Sequence, residues 1–138
     1  MDILLFLMAV VPSAVLLWLF VSSDKYPEPA GVLISSFLLG ALIVLGVYLL
    51  FPFLSLVASG VPPDNPYLAG AVQAFLLAAL PEEALKLIIL RRYCVNHPAF
   101  DEPMDGIVYG VTVSLGFATA ENLLYVLDGG VSVAVGRA

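Results

Sequence analysis

The sequence has few charged residues, a single cysteine and a single histidine. Lysine and arginine together number 5 among 138 residues and form no basic patch, which argues against nucleic acid as a partner. The lone cysteine, Cys94, excludes an internal disulfide, and there is no CxxC pair to bind a metal. The lone histidine, His97, lies beside Pro98 in a polar connector, where we expect a solvated loop residue rather than a ligand.

Most residues of the chain are apolar. The chain is 62% hydrophobic and 12% charged, with a mean hydropathy of +1.06. Soluble domains are nearer half apolar and a quarter charged, so this composition indicates a membrane protein. Four apolar stretches, residues 3–21, 30–51, 67–90 and 106–127, can each cross a bilayer as a helix. The prediction is one all-α domain over residues 1–138, a polytopic transmembrane helix bundle of four spans.

The two ends of the chain need separate interpretation. The stretch 3–21 lacks a basic region before it and a small-residue cleavage site after it, so we predict a retained span rather than a signal peptide. After Asp128, Gly129 and Gly130 the chain becomes apolar again, which predicts the beginning of a partial fifth helix. The chain is therefore expected to be the N-terminal part of a longer protein.

The basic residues predict the orientation in the membrane. Three connectors are predicted between the spans, at residues 22–29, 52–66 and 91–103. Lys25 lies in the first connector, and Lys86, Arg91 and Arg92 lie around the start of the third, whereas the second connector and the N-terminus have none. The positive-inside rule then places connectors one and three in the cytoplasm and the N-terminus outside the cell membrane.

Three glutamates interrupt the last two apolar stretches. Without Glu82 and Glu83 the third stretch would be 14 residues long, and without Glu121 the fourth would be 15, whereas a span needs roughly 20. The glutamates are therefore expected inside the membrane, where an ionisable group costs about 2.5–3.5 kcal/mol on insertion scales and usually marks a functional site. The alternative is that they form the polar end of the third helix, with Lys86 reaching the interface.

Paired carboxylates could divide the work of a general acid and a general base. Glu82, Glu83 and Lys86 lie within about one helical turn, and Glu82 is at the i,i+4 spacing that favours an ion pair with Lys86. A water activated by one glutamate could attack a carbonyl while the other protonates the leaving amine.

The fourth stretch has one polar face. Its members recur at helical spacing: Gly110, Ser114, Phe117, Glu121, Tyr125 and Asp128, with Asn122 beside them. For Ser114 and Tyr125 an interhelical hydrogen bond is the favoured interpretation, and for Glu121 a functional one is favoured. Counted from the third connector, Glu121 lies about two helical turns deeper than Glu82. Helix tilt, or a fourth helix that starts in the cytosol, would close this gap.

The motifs DKYPEP at 24–29, EExxK at 82–86, FDEPMDGIVYG at 100–110 and GFATAEN at 116–122 closely resemble the PrsW family of intramembrane proteases. The resemblance implies hydrolysis of a peptide bond in a membrane-anchored substrate, such as an anti-sigma factor, in a bacterial plasma membrane. It implies catalytic roles for three residues, Glu82, Glu83 and Glu121. It assigns supporting roles to Lys86, Asn122, Asp101, Glu102 and Asp105.

The metal requirement is open at this point. The family is often labelled metalloprotease, which implies zinc in the complete protein with Glu83 and Glu121 as candidate ligands, although a glutamate-based mechanism has also been argued for its superfamily. Family members carry histidines on further helices, and no apolar stretch here contains one, so a His/His/Glu set is impossible from this chain alone. Two alternatives to an active protease are a catalytically incomplete membrane scaffold of the same superfamily and a small ion- or proton-coupled transporter.

Overall fold

The protein is an all-α bundle, as predicted. The structure, a computed structural model, describes residues 3–60 and 65–137, the last ten of these by backbone alone. Its α-helices are α1 (Ile3–Ser23), α2 (Ala30–Ala58), α3 (Pro66–Ala71), α4 (Leu80–Ile89) and α5 (Pro103–Arg137). π-Helical segments at Val72–Ala79 and Leu90–Cys94 flank α4, so that residues 66–94 form one uninterrupted helical run.

Three of these helices are long and apolar enough to cross a membrane. They are Ile3–Ser23, Ala30–Ala58 and Pro103–Leu127. Their outward faces are apolar, as shown by Trp18 and Leu49, which remain 67% and 82% exposed. Such a surface is expected where lipid rather than water covers the bundle. The predicted third span is helical throughout, but its π-helical segments divide it into pieces shorter than a span.

Both predicted ends of the second connector were wrong, because the helices on either side extend into it. We expected residues 52–66 to be a connector, but α2 continues through Pro52 to Ala58. Proline is tolerated in membrane helices more often than in soluble ones, which explains why it does not end α2 here. At the other end of this connector, α3 begins at Pro66, and the Asn65 side chain accepts hydrogen bonds from the N–H groups of Tyr67 and Leu68 at 3.0 and 3.1 Å.

The predicted partial fifth helix was also wrong. The backbone passes through Asp128, Gly129 and Gly130 without a break and remains in α5 as far as Arg137. Each glycine weakens a helix by only about 1 kcal/mol relative to alanine, which is not enough to end a helix 35 residues long.

The core lies where α5 packs between α1 and α2. At the crossing with α2, two glycines face the partner backbone: a Cβ on Gly40 would lie 2.1 Å from the Val113 carbonyl oxygen, and one on Gly116 would lie 2.1 Å from the Phe37 carbonyl oxygen. Small residues allow helices to approach this closely in membranes. Around the crossing lies the main buried cluster: Val32, Ile43, Val44, Cys94, Tyr109, Val113 and Phe117.

Candidate active site

A cavity of about 270 Å³ contains two of the three predicted catalytic glutamates. Glu82 from α4 and Glu121 from α5 both line it, together with Tyr125. Its remaining lining is largely apolar, and half of it comes from α2: Val44, Val47, Tyr48 and Phe51, with Leu77, Ala78, Phe117 and Leu124 from the neighbouring elements. Two carboxylates therefore face one small space with largely apolar walls.

The expected difference in depth between these glutamates is absent from the structure, because α4 and α5 bring both side chains to the same cavity. Cys94 and Tyr109 belong to one buried cluster, and the Tyr109 hydroxyl donates to Glu28 in the first connector. Tyr109 is therefore at the level of Glu28 and the first connector. From 82 to 94 and from 109 to 121 is 12 residues each, about 18 Å along either helix.

Glu83 points away from this cavity. Its carboxylate accepts a hydrogen bond from Lys86 Nζ at 2.7 Å, and its side chain is 70% exposed whereas that of Lys86 is 15% exposed. The expected spacing favoured Glu82 as the partner of Lys86, but the ion pair that the structure shows is the i,i+3 pair with Glu83. Lys86 Nζ also lies 4.2 Å from the centroid of the Phe117 ring, a cation–π contact. Lys86 thus joins Glu83 to a wall of the cavity.

The predicted polar face of the fourth stretch divides between two spaces. Phe117, Glu121 and Tyr125 line the cavity with Glu82. Gly110 and Ser114 instead line a second, smaller pocket of about 170 Å³ with Glu83 and Lys86. Asn122 is partly exposed and lies outside both linings, and the side chain of Asp128 lies outside the described residues.

The first and third connectors meet at a second acidic group, which we call the connector cluster: Asp24, Glu28, Glu102, Asp105 and Tyr109. Asp24, Glu102 and Asp105 each offer one carboxylate oxygen within 4.8 Å of the others. Asp105 Oδ2 accepts the backbone N–H groups of Asp101 and Glu102 at 2.7 and 2.9 Å, which fixes the connector onto the first turn of α5. This contact explains why the motif at 100–110 begins a helix at Pro103.

Two acidic side chains of the connector cluster lie outside the spans and have altered pKa values. Desolvation by burial raises the pKa of Glu28 above its usual 4.5, and the Tyr109 hydrogen bond opposes that rise only partly. Desolvation, followed by the charges of Asp24 and Asp105, raises the pKa of Glu102. Desolvation is thus the largest cause of both pKa shifts, and neighbouring negative charges add to it.

Sequence reasoning placed Glu102 and Asp105 at a site but missed their partners. Asp24 and Glu28 were noted only within the DKYPEP motif, and Tyr109 only within the motif at 100–110. The sequence offered one signal for the proximity of the two motifs: both are polar and flank predicted membrane segments. Asp101, also predicted as supporting, contributes its backbone N–H, and its side chain is exposed.

The single histidine and the single cysteine both make structural contacts. His97 is a loop residue, as expected, and its Nδ1 accepts the Ala99 N–H at 3.2 Å. Cys94 is fully buried, with Sγ 3.4 Å from Ser36 Oγ of α2. Neither lies in the cavity with Glu82 and Glu121.

Removing the Tyr109 hydroxyl is expected to loosen the connector cluster. Tyr109→Phe keeps the ring, which stacks on Phe100 with centroids 6.3 Å apart, but leaves the buried Glu28 carboxylate without its donor. We expect the free energy of unfolding in detergent to fall by about 1–2 kcal/mol. Tyr26→Phe, at an exposed tyrosine in the same connector, is the control, and an equal effect of both changes would contradict the assignment.

Comparison with known proteins identifies the family. A sequence model described as "PrsW family intramembrane metalloprotease" matches residues 28–137, which is most of the chain. The chain belongs to the PrsW family. It is 42% identical over 130 residues to Protease PrsW of Geobacillus kaustophilus (strain HTA426), covering 94% of this chain and 55% of that protein. It is 39% identical over 130 residues to Protease PrsW of Bacillus subtilis (strain 168), covering 94% and 56%.

These matches confirm the resemblance and define its extent. The chain spans just over half the length of the curated PrsW relatives it matches, all of them bacterial proteins. No solved structure matches the chain.

The metal named in the family description does not fit the cavity residues of this chain alone. A catalytic zinc normally takes three protein ligands, drawn from histidine, cysteine and carboxylates, plus a water. Among the described residues, Glu82 and Glu121 are the metal-ligating side chains of the cavity, and Glu83, a predicted ligand, lines the other pocket. Two carboxylates alone fall short of the protein ligands that a catalytic zinc normally takes.

Proposed function

We propose that the chain carries the glutamate half of an intramembrane endopeptidase site, with Glu82 and Glu121 as the reacting groups. The observation that supports this most directly is that the two side chains, from helices far apart in sequence, line one cavity with largely apolar walls. A site that hydrolyses a peptide bond needs a group to take a proton from water and a group to return one to the leaving amine. Two carboxylates in one cavity can share these tasks.

In the proposed reaction, Glu82 accepts a proton from a water molecule as its oxygen bonds to the carbonyl carbon of the scissile peptide. Collapse of the tetrahedral intermediate breaks the carbon–nitrogen bond, and Glu121 supplies the proton that the departing amine requires. The largely apolar walls lower the local dielectric constant, which strengthens charge interactions within the cavity. Glu83 remains a candidate through its pair with Lys86, whose Nζ contacts the same Phe117 ring that lines the cavity.

The proposed substrate is a membrane-anchored protein, with an anti-sigma factor as the example that the family resemblance suggests. The proposed location is the plasma membrane of a bacterium, with connectors one and three in the cytoplasm and the N-terminus outside. In support, the structure brings these two connectors together in the connector cluster, so they lie on the same side of the bundle. The zinc expected for the complete protein would require ligands in addition to the cavity glutamates.

The test is cleavage in a defined membrane. The full-length protein, reconstituted into liposomes with a single-span substrate protein, is expected to produce new termini within the substrate's span, identified by mass spectrometry. A folded protein that leaves every tested single-span substrate intact would contradict the proposal and favour the scaffold alternative. Glutamate-dependent, pH-dependent ion flux without cleavage would favour the transporter.

A further inference from the structure

The connector cluster carries negative charge that the described residues do not neutralise. Asp24 and Asp105 are 8% and 0% exposed, and Asp24 Oδ2 and Asp105 Oδ1 are buried without a hydrogen-bond partner. The other oxygen of each side chain does accept backbone N–H groups, but a buried carboxylate oxygen that is left without a donor is unfavourable. Each of these two oxygens can therefore accept either a bound cation or a proton carried by a neighbouring carboxyl group.

Neither a basic side chain nor the N-terminus of α5 provides a partner for both of these oxygens. Within the described part of the chain, the ion pair shown is that of Lys86 with Glu83, and Lys25, next to Asp24, is exposed with Nζ 5.3 Å from the Tyr26 ring centroid. The start of α5 does stabilise Asp105, but through Oδ2, which already accepts two backbone N–H groups. Its other oxygen remains to be satisfied.

The geometry points to a divalent cation site formed by Asp24, Glu102 and Asp105. Their oxygens lie within 4.8 Å of one another. An upper bound of 4.8 Å accommodates either Ca²⁺ or Mg²⁺, but Mg²⁺ demands near-ideal octahedral geometry and loses its water reluctantly, so carboxylates from separate segments favour calcium. A purely oxygen donor set also favours such hard cations over zinc. The ion would tie the first connector to the start of α5, the helix that carries Glu121.

A rival explanation is that the carboxyl groups share protons instead of a metal ion. The raised pKa values of Glu28 and Glu102 are compatible with this, because burial favours the neutral form, and protonated Glu28 and Glu102 can donate to Asp105 and Asp24, respectively. The two explanations differ at neutral pH, where a cation site binds calcium stoichiometrically and a shared-proton network does not.

The experiment is calorimetric titration of the detergent-solubilised full chain, freed of metal with EDTA and desalted, with CaCl₂ and separately with MgCl₂ at neutral pH. We expect saturable binding of one Ca²⁺ per chain, at least tenfold tighter than Mg²⁺, and a rise in Tm on adding Ca²⁺. Glu102→Gln, at a partly exposed position that tolerates the change, and Asp24→Asn should each weaken Ca²⁺ binding about tenfold or more.

Asp101→Asn is the matched control, because it removes an exposed acid from the same connector and should leave Ca²⁺ affinity within about twofold. Absence of saturable Ca²⁺ binding to the folded wild-type chain would overturn the proposal, as would equal weakening by Asp101→Asn and Glu102→Gln. A Tm that rises on acidification in EDTA, without any calcium binding, would assign the site to protons instead. This readout is independent of proteolysis, so it stands or falls separately from the proposed function.

Discussion

Glu82→Gln and Glu121→Gln in the full-length protein are each expected to lower the rate of substrate cleavage at least 100-fold. Both changes keep the shape of the side chain while removing a proton-transfer group, and such groups contribute about 10²–10⁴-fold to rates. The measurement is the initial rate of product formation in liposomes, with Tm recorded to show that each variant is folded.

Glu83→Gln separates the two adjacent glutamates. Glu83 is mostly exposed and paired with Lys86, so its loss should act on the cavity only through that lysine. We expect a smaller loss of rate than for Glu82→Gln, about tenfold, and recovery with Glu83→Asp, which keeps the charge. Gln73→Leu, on the exposed face of the same helical run, should retain the wild-type rate. A larger loss for Glu83→Gln than for Glu82→Gln would contradict the assignment.

Gly40→Val and Gly116→Val are expected to lower the free energy of unfolding in detergent by about 3 kcal/mol each. In both cases the new Cβ would lie 2.1 Å from a backbone carbonyl oxygen of the other helix, and a backbone cannot move aside as a flexible side chain can. The helices α2 and α5 would have to separate, which also displaces Glu121 from the cavity wall that α2 provides.

Gly31→Val is the control for these changes, because nothing lies within 4 Å of a Cβ built on Gly31 in the first turn of α2. We expect its free energy of unfolding to change by no more than about 0.5 kcal/mol, since a surface substitution away from packing contacts has little effect. Equal stability of the Gly31 and Gly40 variants would show that the α2–α5 crossing is not as close as the structure has it.

Local sequence pattern predicted the helices well because apolar length is a strong signal for membrane segments. It failed at Pro52 and at Asp128–Gly130, where a local breaker is outweighed by the length of the surrounding apolar helix. Likewise, the spacing of Phe117, Glu121 and Tyr125 correctly placed them on one side of α5, because a single helix has a fixed period.

Relations between distant segments were harder to predict. Which of Glu82 and Glu83 shares a cavity with Glu121 depends on how α4 is rotated against α2 and α5, and the sequence offered only their adjacency. The connector cluster forms because residues 24 and 105, which are 81 positions apart in the sequence, lie close together in the fold. The level of Glu121 relative to Glu82 depends on how α5 is placed along the bundle, which the contact of Tyr109 with Glu28 shows and the sequence does not.

The most direct test of the account is the double variant Glu82→Gln/Glu121→Gln, compared with the two single variants in the same cleavage assay. Groups that act together in one reaction are strongly non-additive, because either loss already abolishes the shared step. The account predicts that the double variant is no more than about tenfold slower than the slower single variant. Losses that multiply in full, as for two independent sites, would contradict a shared site of Glu82 and Glu121.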